Sequence, residues 1–139
     1  MSALQELLLQ NNEILNLSQK ALNGLSQLKD LNLHGNKIGT VEKVHLDSVR
    51  SGLQNLDLSN NQISKIKNDV FKGMNNLRVL DLSNNEISII ENYAFEYLTL
   101  DSLNLKGNNL TQVWKTYFSG TKRIVSLDLS HNAIEDISA

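Results

Sequence analysis

The chain has no cysteine and no proline among its 139 residues. The first absence excludes disulfides, thiolate nucleophiles and cysteine metal sites together. The second is unusual for a chain rich in loops. No apolar run approaches the roughly 18 residues of a membrane span. Leu7-Leu8-Leu9 is too short and too polar-flanked for the apolar region of a signal peptide. Net charge is only −2, so no sequence-independent affinity for nucleic acid or anionic lipid is implied. At this length the chain is one domain or a piece of one. What is abundant is asparagine, about nineteen residues of it, and its placement has a rule.

The rule is clearest in Leu53-Gln54-Asn55-Leu56-Asp57-Leu58-Ser59-Asn60-Asn61-Gln62-Ile63. The spelling L-x-x-L-x-L-x-x-N-x-I returns as Leu77 through Ile87, and again around four further asparagines. The column reads Asn12, Asn36, Asn61, Asn85, Asn108 and Asn132, with steps of 24, 25, 24, 23 and 24 residues. Six coils follow, at about 4–27, 28–52, 53–76, 77–99, 100–123 and 124–139. The second carries one extra residue in Ser48-Val49-Arg50-Ser51-Gly52, and the fourth is one residue short before Leu100.

The alternation L-x-L turns leucines to one side of a short strand and the x residues to the other. Three residues are too few to stand alone. Copies stacked in parallel, about 4.7–4.9 Å apart, bury the apolar side against each other. Such an interior needs no disulfide, so the missing cysteines leave the compartment open. A carboxamide has both donors and an acceptor. One Asn per coil is therefore expected to satisfy its own turn and the next. Ten residues after each Asn come Leu22, Leu46, Phe71, Phe95 and Phe118. Three later come Leu25, Val49, Met74, Leu98 and Thr121. That spacing suits a single helical turn on the convex side, with stacked rings as its core. Thr121 breaks the column, so the back of coil five is expected to be looser.

With L-x-x-L-x-L-x-x-N-x-L/I followed by an F-x-x-L element or its variants, the chain resembles the "typical" 24-residue class of leucine-rich repeats along its whole length. The resemblance implies an α/β fold. It is a right-handed solenoid with one parallel sheet on the concave side and short helical turns and loops on the convex side. The handedness is also the general rule for parallel crossovers. The class occurs mainly in extracellular animal proteins, among them Toll-like receptors, insect immune receptors and adhesion receptors. The resemblance implies a non-enzymatic module that binds a protein ligand or co-receptor, with no cofactor, no nucleic acid and no direct membrane contact. Secreted members usually carry cysteine-rich caps. None is spelled here, so the chain is expected to be an uncapped internal segment of a longer ectodomain. The alternative is a structural scaffold, cytosolic or in the extracellular matrix.

The outward strand residues form columns on the concave side, all expected to face solvent. The candidate contacts are Asp30, His34, Asp57, Val79, Asp81, Lys106 and Asp128. Asp57, Asp81 and Asp128 are either the default filling of L-D-L-S or contact residues. Val79 and Lys106 depart from that filling. Trp114 stands in an exposed column with Ser18, Glu42, Lys67 and Glu91. It is either a contact anchor or a ring lying over Tyr93 or the convex segment. Tyr97 replaces the small residues of its column, Gly24, Ser48, Gly73 and Gly120. Asn16 and Asn109 open glycosylation sequons, although a composition this rich in Asn, Ser and Thr predicts about two or three by chance. His34 and His131 lie four coils apart, about 19 Å at strand spacing, too far to share a metal or a proton. His45 falls on the convex segment. Two stacked carboxylates, Asp57 and Asp81, are too few for the usual 6–8 oxygens of calcium. No catalytic residue and no metal site is expected.

Overall fold

The computed structural model describes residues 3–138. Six strands form one parallel sheet. They are β1 (Glu6–Leu8), β2 (Asp30–Asn32), β3 (Asn55–Asp57), β5 (Val79–Asp81), β7 (Thr99–Asn104) and β9 (Arg123–Asp128). They pair in chain order with no shift of register, so Leu7, Leu31, Leu56, Leu80, Leu103 and Leu127 lie in file. The alternation that predicted a short strand therefore produces one in every coil.

The leucines flanking each strand fill the interior. Leu28, Leu33, Leu53, Leu58, Leu77, Leu82, Leu100 and Leu105 are wholly buried. Phe71 stacks on Phe95 with centroids 6.1 Å apart, and Phe95 on Phe118 at 5.6 Å, both nearly parallel. The expected aromatic file is thus present. Phe118 is half-buried whereas Phe71 and Phe95 are sealed, and Thr121 donates to the Phe95 carbonyl at 3.0 Å. Apolar exposure rises toward both ends of the described chain, at Leu8, Leu15, Val125 and Ile137.

The convex side consists of short helical turns and loops, as expected. Among the described residues coil two alone has an α-helix, α1 (Lys43–Leu46), and coil five a 3-10 turn (Lys115–Tyr117). The other convex segments are hydrogen-bonded turns. They are too short for the nucleation cost of a helix to be recovered by propagation. Two further parallel ladders flank the main sheet and were not signalled by the repeat spelling. β4 (Lys65–Ile66) pairs with β6 (Ile89–Ile90), and β8 (Gln112–Trp114) with β10 (Asp136–Ser138). No helix among the described residues is long and apolar enough to cross a membrane.

Both irregular coils have a visible accommodation. The extra residue of coil two places Arg50 where its guanidinium donates to the Lys43 carbonyl at 2.7 Å and the Val70 carbonyl at 3.0 Å. It also bonds the Asp47 carboxylate at 3.1 Å. Arg50 therefore ties α1 to the convex turn of coil three. In the shortened coil four, Tyr93 and Tyr97 lie in the left-handed region, each with φ near 65°. Gly24, Gly73 and Gly120 hold that conformation in Tyr97's column at 81°, 82° and 76°.

Candidate protein-binding face

The asparagine column lies in single file beside the sheet. Asn61 shows the pattern. Its Nδ2 donates to the Leu58 carbonyl at 3.1 Å and the Ser59 carbonyl at 3.1 Å within its own turn. It also donates to the Leu33 carbonyl of the preceding coil at 2.9 Å. Its Oδ1 accepts from the Ile38 amide, again of the preceding coil, at 3.0 Å. Asn36, Asn85, Asn108 and Asn132 repeat this. The expectation of service to the next coil is corrected: each side chain reaches back, toward the coil already laid down. Asn12 is exposed and bonds only its own turn, at Leu9 and Gln10.

One residue before each ladder asparagine the backbone is left-handed. Asn11, Gly35, Asn60, Asn84, Gly107 and His131 all have φ between 51° and 67°. Asn and Gly tolerate that region best, so the column's composition was its signal. A Cβ on Gly107 would collide with the Asn84 Oδ1, and one on Gly35 with the Asn11 Oδ1. Glycine stands where the side chain of the preceding coil lies across the backbone.

The outward column in the middle of the strands is a second turn device. Asn32, Asp57, Asp81, Asn104 and Asp128 each accept, through Oδ1, the amide two residues ahead, at 2.9–3.0 Å. This Asx turn ends the strand. Ser59 and Ser83 add their hydroxyls to the same carboxylates, at 2.5 and 2.6 Å. Those serines are 5% and 6% exposed, which corrects the expectation that their column faces solvent. The bond to the aspartate draws each hydroxyl under the strand end. The default filling L-D-L-S is therefore a clamp with a mechanism.

His34 Nδ1 lies 2.8 Å from Ser59 Oγ. With the hydroxyl proton committed to Asp57, the imidazole is the donor in that pair. Serine thus sits between histidine and aspartate, the reverse of the order that activates a nucleophile. The arrangement braces two coils against each other. The Asp128 carboxyl is held low, first by the Ser130 hydroxyl and its amide, then by the charges of Lys106 and His131.

Coil one breaks the middle column. Leu8 stands where the other five have Asn or Asp, and it is 54% exposed. Val79 is likewise exposed among polar neighbours. Between them the sheet forms a hollow of about 300 Å³, lined chiefly by Glu6, Leu8, Asp30, Asp57, Val79 and Asp81. Four of the seven expected contacts, Asp30, Asp57, Val79 and Asp81, meet there. His34, Lys106 and Asp128 lie outside its lining. Leu8 and Glu6 belong to it and were not expected. Leu8's signal was that it is the one non-Asx residue in its column.

The remaining candidates lie elsewhere. Trp114 ends β8, outside the main sheet, and is 44% exposed. Among the described residues no ring contact joins it to Tyr93. Asn16 and Asn109 are exposed, each beside a buried leucine, Leu17 and Leu110. The ion pairs Lys37–Glu13, Lys65–Glu91 and Lys67–Glu42 link successive coils away from the hollow. The Lys67 ammonium, by hydrogen bond and charge, holds the Glu42 carboxyl below its ordinary range.

A family model described as leucine rich repeat matches residues 2–51, 51–110 and 99–139, together nearly the whole chain. No curated protein matches it.

Proposed function

Because the chain belongs to the leucine-rich-repeat family, whose repeats mediate protein–protein binding, we propose that its concave sheet is the partner-binding face. The reading places it in an extracellular receptor or adhesion protein, as a segment that engages a protein ligand or co-receptor. The observation that carries the face is the hollow at coils one to four. There Leu8 puts apolar surface where the other coils spend an Asx side chain on their own turn, and Val79 adds more in a neighbouring column. A patch of exposed apolar surface rimmed by polar groups is the usual mark of an interaction site. The outside location draws support from the 24-residue spelling, and the exposed sequons at Asn16 and Asn109 fit it without adding support.

A second reading is a scaffold in the cytosol or the matrix, which uses the same face without signalling. Photo-crosslinking separates them. A photoreactive residue is placed at Val79 or at convex Lys72 in the protein in its own cells, and cell-surface and intracellular captures are collected separately. The proposal expects one discrete surface protein captured from Val79 and none from Lys72. Capture from Lys72 alone overturns the concave face. Capture from Val79 only inside the cell selects the scaffold.

A further inference from the structure

We infer that the hollow takes a lysine- or arginine-bearing segment of the partner, one alkyl stem on Val79 and its cation at Asp57 and Asp81. This rests on the protein-binding reading above and adds the partner's chemistry to it.

The register sets Asp57 directly beside Asp81 on neighbouring strands. Like charges so placed are mutually destabilising. Asp30 and Glu6 lie in the same hollow. Among the described residues none of the four has a cationic partner, whereas all the ion pairs lie elsewhere on the solenoid. The paired lysines, Lys37, Lys43, Lys65 and Lys67, thus lie away from the hollow, and the repulsion there is left for an outside cation to relieve.

The carboxylates are also held in place. Asp57 and Asp81 each have Oδ1 fixed by the amide and hydroxyl of the serine two residues on. Asp30 is held by the Asn55 side-chain amide. Binding a cation there costs little further side-chain ordering. Asp57 keeps its second oxygen without a partner among the described residues. Val79, two residues before Asp81 on the same face of β5, fits the same occupant, because lysine and arginine lay their methylene stems on apolar surface while the charge stays polar-solvated. The footprint has an edge. Lys106 stands in coil five on the concave side and bears on Asp128, so a cation meets repulsion beyond coil four. An acidic partner finds no counter-charge in the hollow.

Amide chemical-shift mapping with hexalysine, hexa-arginine and hexaglutamate tests this. The two polycations are expected to shift residues 6–8, 30–32, 55–57 and 79–81, and hexaglutamate none. Asp57→Asn with Asp81→Asn keeps the oxygen that each serine needs and should weaken polycation binding at least about fivefold at low salt. Val79→Lys, at an exposed position, should do the same. Equal shifts at Glu13, Glu86 and Glu135 overturn the inference, as does unchanged affinity in both variants or binding of hexaglutamate. If Val79 captures a partner while the polycations pass the hollow by, the basic-partner chemistry fails and the protein-binding reading stands. If the polycations bind but Val79 captures nothing, that reading fails instead.

Discussion

Asn85→Ala tests the device that joins the coils. The Asn85 side chain is 7% exposed and makes four hydrogen bonds. The carbonyls it leaves are not orphaned. Leu58 O still accepts from Asn61 Nδ2, Leu82 O from Asn108 Nδ2, and Ser83 O from the Asn60 amide. The Ile63 amide is different. Its partner is the Asn85 Oδ1 at 3.0 Å, and Ile63 is fully buried. One buried N–H without a partner costs about 1–3 kcal/mol, and that is the predicted loss. Asn12→Ala is the control. Asn12 is exposed and touches only its own turn, so about 0.5 kcal/mol or less is expected. Urea unfolding reads both as a shift in midpoint at constant m. An Asn85→Ala loss below about 0.5 kcal/mol, or equal to that of Asn12→Ala, would refute the reasoning.

Other outcomes follow from the same contacts. Arg50→Ala removes a charged donor from the Lys43 and Val70 carbonyls and should cost about 1.5–3 kcal/mol in urea unfolding. Arg50→Lys should recover little of it, because a point charge cannot span both acceptors. Tyr97→Gly relieves about 1–2 kcal/mol of left-handed strain against about 0.5–1 kcal/mol of added chain entropy. The melting temperature should hold or rise, and a clear fall would show that the ring itself holds the turn. Glu42→Gln removes a carboxyl whose folded pKa is depressed by Lys67. A depressed acid contributes stability above its unfolded value and loses it as pH falls through the folded one. The variant should therefore be less stable than the parent at neutral pH and indistinguishable from it well below the ordinary carboxylate value of 4.5. A difference that persists in acid would remove the ion pair as its cause.

The strand leucines, the asparagine file and the Phe71–Phe95–Phe118 stack were legible because each is written once per coil at one spacing. Period alone identifies such residues as sharing a face. The direction of the asparagine's reach was not legible, since a carboxamide at that position can satisfy either neighbour until the turn's geometry is known. Ser59 and Ser83 were misplaced for a related reason. Alternation predicts an outward side chain, and only the bond to the aspartate two residues back pulls the hydroxyl under the strand end. The column of Asn11, Gly35, Asn60, Asn84, Gly107 and His131 did carry a signal, a preference for residues at ease with positive φ. Tyr97 carried one too, in a column otherwise filled by glycine or serine, whereas nothing in Tyr93 announces a left-handed backbone. At the candidate site, Val79 was legible as a departure from the default filling. Leu8 was legible only against its column, as the one non-Asx residue there, because in the run Leu7-Leu8-Leu9 an outward leucine looks like its inward neighbours. Arg50 was marked only by the extra residue beside it, which gives position without partner.

Native-state hydrogen exchange is the most direct test of the claim beneath all of this, that each coil is held by a side chain from the one after it. The amides of Ile38, Ile63 and Ile87 bond to Asn61, Asn85 and Asn108 of the following coils. They should rank among the slowest in the chain and exchange through one shared opening. Exchange at these three as fast as at exposed loop amides, or through separate openings of unrelated free energy, would contradict the account.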